Sequence, residues 1–261
     1  MKLRMLPGLC LAVLIGVSSL PAADDEGFVD IFNGKDLTNF YTYLKGVGKN
    51  KDPEKVFTVK DGMIRVSGEQ WGAFITEKEY ENYHLIVEFK WGDKTWGSRA
   101  KATRDSGLLV HCVGEDGAAG GSWMESVEFQ IIEGGTGDFI LVKGKNIPTL
   151  TVEAEQRGQW YYKPGAPAKE FKGGRINWWG RDPKWKDTLG FRGENDLEKP
   201  VGEWNRLECI CDGDKITNIV NGKVANAGTK CSHTKGKILL QSEGAEIFFR
   251  KIAIKPLKKG S

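Results

Sequence analysis

Apolar and polar positions alternate with a period of two over much of the chain. In the run from His84 to Trp91, Val87, Phe89 and Trp91 share one face while Glu88 and Lys90 share the other. That pattern is a strand packed on one side and polar on the other. Similar short β-branched or aromatic runs fall at 29–32, 56–59, 63–66, 73–76, 107–113, 126–132, 139–142 and 150–153, and again at 204–211, 216–220, 238–241 and 247–254. Turn-forming pairs such as Asn33-Gly34, Asp61-Gly62 and Ser67-Gly68 punctuate them. No window of helical length carries a clean 3.6-residue apolar period. The pattern predicts an all-β fold, an antiparallel β-sandwich of two sheets or a jelly roll. The stretch 163–200 interrupts the rhythm with four prolines, Trp178, Trp179, Trp185 and Phe191, and Arg175, Arg181 and Arg192. A loop of that length inside a domain is either functional or strand misread as loop, and its rings and arginines predict a wall over one rim of the concave sheet.

The first residues read as an address. Lys2 and Arg4 precede an apolar run at 9–17, and small residues lead through Ala22 and Ala23 to Asp24-Asp25-Glu26. The run is too short to span a bilayer, so residues 1–23 are expected to be a signal peptide removed on export to the periplasm or the exterior, leaving one domain over 24–261. No other stretch is apolar enough to cross a membrane as a helix. The full chain has 38 basic and 35 acidic residues, and loss of Lys2 and Arg4 leaves 36 against 35. So even a balance supplies no field to recruit nucleic acid. Four cysteines remain: Cys112, Cys209, Cys211 and Cys231. Cys209 and Cys211, two apart on one strand face, cannot easily pair with each other; a bridge from one of them to Cys231 and a set of free buried thiols are both open.

Candidate chemistry concentrates on the strand holding Glu128, Phe129, Gln130, Ile131, Ile132 and Glu133. Alternation puts Glu128 and Gln130 on one face, and a bulge after Gln130 would bring Glu133 round to join them. Carboxylates on a polar concave face suit acid–base work on a glycosidic bond. The spacing is similar to the E-x-D-x-x-E strand of jelly-roll endoglucanases, with Gln130 in place of the Asp. A neighbouring strand begins at Arg104 and Asp105 and carries His111, which alternation sets on the face of Leu109 and Val113. Glu88 and Lys90, together with Arg104, Asp105, Glu133, Trp178 and Trp179, complete the candidate substrate-binding set around Glu128, Gln130 and His111.

Several segments together resemble the 3-keto-disaccharide hydrolase domain family: the Phe32-Asn33-Gly34-Lys35-Asp36-Leu37 opening, Asp105-Ser106-Gly107, the Glu128 strand, Gly202-Glu203-Trp204-Asn205, Asn221-Gly222, and the closing run from Leu240 to Ile254. The resemblance covers nearly the whole chain after the first segment. It implies a concanavalin-like jelly roll acting on 3-keto-glycosides or related glycans, with an oligosaccharide or glycoside as partner. Asp105 stands where Asn is usual, His111 where Arg is common, and Lys251 in place of Asn. A ketone at C3 acidifies the C2 proton, so the C1 substituent can leave by elimination. Such a reaction needs a base, donors for the enolate oxygen and an acid for the leaving group. In this reading Glu128 is the base, Gln130 orients, and His111 or Lys90 stabilises the enolate; a divalent metal could replace the cationic donor, although no compact ligand cluster is visible. A non-catalytic carbohydrate-binding module and a conventional endoglucanase are the rival readings.

Overall fold

The computed structural model describes residues 25–258; the expected signal peptide lies outside them. Two large antiparallel sheets stack face to face. One has eight strands, in the order Lys223–Gly228, Lys215–Val220, Asn205–Asp212, Tyr83–Thr95, Ala245–Pro256, Met63–Val66 and Phe57–Lys60, with Val29–Asp30 added beside Ala245–Pro256. The other has nine, in the order Gly174–Ile176, Phe139–Val142, Glu125–Ile132, Asp105–Val113, Lys235–Ser242, Gly72–Thr76, Phe40–Leu44 and Gly48–Lys49, with Tyr80–Glu81 beside Lys235–Ser242. A smaller three-stranded sheet, Gln159–Tyr162, Thr149–Arg157 and Ala168–Lys172, packs at one side. The only helical element among the described residues is a single 3-10 turn, Gly97–Arg99.

The period-two pattern builds the core as anticipated. Val87, Phe89 and Trp91 from one sheet meet Leu108, Val110, Val127, Phe129, Ile131, Leu240 and Phe74 from the other. Stacked sheets lie about 10 Å apart, and large rings with branched side chains fill that gap at crystal-like density. Burial of this many apolar side chains is the main stabilising term.

The face of the nine-stranded sheet turned away from its partner has a second, smaller apolar cluster, with Tyr41, Ala73, Ile75, Leu109, Cys112, Met124 and Leu239. That face holds the candidate site. Four buried cysteines are free thiols: Cys209 and Cys211 point into the sandwich with their sulfurs 3.8 Å apart, and neither bridges to Cys231.

Candidate active site

Cross-strand register assembles the site. Glu128 lies opposite Leu109 on one side and Ile140 on the other, and Ile140 lies opposite Arg175. Directly opposed residues share a face, so Arg175, Ile140, Glu128 and Leu109 form one row, continued by Leu239 and Ile75. One step along, Gln130 lies opposite Gly107. Leu240 pairs with Leu108, and continuing that register sets Gln241 on the far side of Gly107. Asp105 heads its strand two residues before Gly107, and Glu243 follows Gln241 by two. Three carboxyls, two carboxamides and Arg175 therefore converge on one patch.

Gly107 is the residue that makes the patch possible. A β-carbon at this position would collide with Glu128 Oε1 and Gln241 Oε1. Only glycine lets both side chains lean over the backbone between them.

The groups are almost closed off: Glu128 is 4% exposed, Asp105 3%, Gln130 2% and Gln241 1%. Gln130 Nε2 donates to Asp105 Oδ1 at 2.6 Å. Arg99 ion-pairs with Asp105 and, at 2.9 Å, with Asp187. Arg175 donates to Asp138 Oδ2 at 2.7 Å. Among the described residues, Glu128 has neither an ion-pair partner nor a backbone donor in hydrogen-bond contact; its hydrogen-bond partner is the Gln241 side chain. Burial, and next the charge of Asp105, push its carboxyl up to about 8, with Arg175 pulling the other way. Asp105 is raised to about 6 by burial, against the pull of Arg99 and Arg175. Glu243 is lifted well above the carboxylate range by burial and by both neighbouring carboxyls. Buried acids of like charge cannot all ionise together, so the cluster holds protons at neutral pH. Gln241 Oε1 is buried and without a partner among the described residues, an acceptor free for a hydroxyl. Among the described residues, no three His, Cys, Asp or Glu side chains are arranged to hold a metal ion.

Glu128, Gln130 and Asp105 come together from the anticipated set; the other members do not join them. His111 adopts a left-handed backbone, φ 52°, and the pairing register shifts around it. This bulge breaks the alternation that placed it with Leu109, and turns it into the sandwich, 0% exposed, edge-on to Tyr83. Its Nδ1 meets the His233 carbonyl at 2.7 Å. Burial disfavours its charge, but the adjoining Cys211 and Cys231 outweigh that and lift it to about 10. Glu88 and Lys90 lie on the outer face of the eight-stranded sheet: Glu88 takes a 2.6 Å bond from Arg250 Nε, and Lys90 sits 5.1 Å from the Trp204 ring. The whole sandwich separates them from Glu128.

No bulge turns Glu133 inward. It is 1% exposed, paired to Arg104 Nη1 at 2.7 Å, and accepts from the Gly190 amide at 2.9 Å. Arg104 also donates to the Gly92 carbonyl at 3.0 Å. That pair fastens loops and leaves the substrate side without a second Glu on this strand. Trp178 is buried in the core at 1% exposure. Trp179, 39% exposed, donates to the Val224 carbonyl at the edge of the other sheet.

The odd stretch is partly strand, since Ala168–Lys172 and Gly174–Ile176 are paired. Beyond 176 it packs against the sheet end that carries Asp105. Asp187 accepts from Arg99 and from the Thr103 amide, Leu189 N bonds Lys101 O at 3.0 Å, and Trp185 donates to the Glu133 carbonyl. Glu198 anchors its return beneath Trp91 and Thr136. Sequence reasoning left Gln241, Glu243 and Arg99 out of the site. The signal for the first two was present: Gln241, on the strand next but one, and Glu243, just past that strand's end, repeat the i, i+2 polar spacing of Glu128 and Gln130.

Two stacked antiparallel sheets, with a buried carboxyl cluster on one outer face, make the protein a jelly roll of the concanavalin-like type. The family model described as the 3-keto-alpha-glucoside-1,2-lyase-like domain matches residues 27–255, and the chain belongs to that family. Among solved structures, it is similar to two proteins of Parabacteroides distasonis, each described as a putative glycosyl hydrolase. One is 19% identical, with 89% of this chain and 95% of that chain covered at a TM-score of 0.53. The other is 24% identical, with 88% and 99% covered at a TM-score of 0.49. A Bacillus subtilis protein of unknown function with a galectin-like fold is 12% identical over 87% of this chain and 94% of that one, with a TM-score of 0.48. A search of curated proteins returns no match.

Proposed function

We propose that this protein, once exported, cleaves 3-keto-glycosides by elimination across C1 and C2, with Glu128 as the base. The carrying observation is Glu128 itself: a nearly buried carboxyl, without an ion-pair partner, raised to about 8 beside an arginine on the same face. A carboxylate whose charge is poorly solvated is a stronger base than one in water. Asp105 is a poorer candidate, because Arg99 and Gln130 already occupy its oxygens.

Glu128 takes the C2 proton, and the electron pair forms an enolate with the C3 ketone. Arg175 lies in line to stabilise that oxygen, the part earlier given to His111 or Lys90. The enolate re-forms its carbonyl as the C1–O bond breaks, and the departing oxygen takes a proton from Glu243, kept protonated by burial and its neighbours. Water then adds to the unsaturated product at C1. Gln130 acts through Asp105, holding it against Arg99.

Incubation with a glucoside and its 3-keto derivative tests the reading. Turnover of the ketone alone supports it. Turnover of the plain sugar points to conventional hydrolysis, and binding without turnover of either points to a carbohydrate-binding module.

A further inference from the structure

We propose that Trp71 and Trp123 form a platform for the sugar ring that leaves, making the protein selective for disaccharides over glycosides of small alcohols. The inference rests on the 3-keto-glycoside reading above and names the leaving-group side of that site.

Trp71 immediately precedes the strand Gly72–Thr76, and it shares a face with Ala73, which pairs with Gln241. Ser242 pairs with Gly72, so Trp71 lies beside Glu243, the proton donor to the departing oxygen. From Asp105 it is two strand spacings away, about 10 Å. Trp123 reaches the same face from the connection between Asp105–Val113 and Glu125–Ile132, and packs on that face's apolar cluster with Tyr43.

The two indoles lie nearly parallel, 25° apart, with centroids separated by 5.9 Å. Every other ring pair among the described residues meets edge-on, at 61–81°. Edge-on pairs interlock inside a core, whereas a stacked pair leaves flat outer surface. Both indoles are only half-buried. The backbone holds them in place: Ala119 and Trp123 exchange bonds of 2.9 and 3.0 Å, and Lys45 N bonds Trp71 O at 2.9 Å. Lys45 Nζ stands 6.0 Å from the Trp71 ring centroid, where its ammonium can donate to ring hydroxyls. A rigid flat apolar surface with a cation at its rim, beside the leaving-group acid, fits the apolar face of a neutral pyranose.

The test compares kcat/KM for a 3-keto-disaccharide and for methyl 3-keto-glucoside, in the parent protein and in Trp71→Ala, Trp123→Ala and Trp71→Phe. Expected is a loss of about 10-fold on the disaccharide, the size of one aromatic contact, with the methyl glycoside within about 2-fold and partial recovery in Trp71→Phe. Equal losses on both substrates overturn the platform and leave the 3-keto reading standing. A folded parent that turns over neither substrate overturns that reading, and the platform with it.

Discussion

Replacing Glu128 with Gln preserves shape and removes the proton acceptor, so it separates function from folding. A general base contributes about 10²–10⁴-fold, and kcat/KM on a 3-keto-glycoside should fall by that factor. Stability should move the opposite way. The carboxyl binds its proton more tightly in the folded chain, at about 8 against an ordinary 4.5. The penalty for ionising it is therefore absent below pH 4.5, grows as pH rises towards 8, and is complete above that. At 1.36 kcal/mol per pH unit, it reaches about 5 kcal/mol above pH 8, and about 3 kcal/mol at pH 7. A neutral amide escapes this cost. Glu128→Gln should melt within a degree or two of the parent at pH 4 and about 5–10 °C higher at pH 7. Thermal denaturation from pH 4 to 9, run beside steady-state kinetics, reads both effects. A stability difference that stays flat with pH, or near-full turnover by the variant, refutes the argument that this buried carboxyl is the base.

Asp105→Asn should shift the pH dependence of kcat/KM to lower pH, because Asp105 is the charge that most raises Glu128; a pH–rate profile checks the direction, and an unmoved profile counts against the coupling. Gly107→Ala should lose most activity and about 1–3 kcal/mol of stability by overpacking against Glu128 and Gln241, read by urea unfolding and initial rates. His111→Asn keeps a residue that tolerates the left-handed backbone. It should cost about 1–3 kcal/mol through the lost contact with the His233 carbonyl, while the folded variant retains parental kcat/KM within about 3-fold; a loss of 100-fold would return His111 to the chemistry.

The sandwich was legible because period-two alternation survives wherever a strand is half-buried, as from Val87 to Trp91. It was less legible where strands are short or interrupted by glycine. Ala168–Lys172 and Gly174–Ile176 lie within the stretch expected to be loop, and their edge pairing comes from neighbours. The Glu128 face was readable for the same reason as the core. Alternation failed at His111, where one residue of positive φ moved it from the outer face to the interior. It also gave no information about which sheet a strand joins, and this is why Glu88 and Lys90, on a strand with clear alternation, ended up across the molecule from Glu128. Gln241 and Glu243 needed register as well as periodicity. Lys235–Ser242 meets Asp105–Val113, with partners 125–132 residues apart in sequence, only through the fold's long-range pairing.

The central claim is that Glu128 removes the proton on C2. It is tested most directly by measuring kcat/KM for a 3-keto-glucoside carrying deuterium at C2 against the protiated sugar. A primary isotope effect of about 2 or more, with Glu128→Gln inactive on both sugars, is the predicted result. Rapid turnover of the 3-keto-glucoside with no isotope effect, and glycosidic cleavage that leaves the C2 deuterium in place, would contradict it.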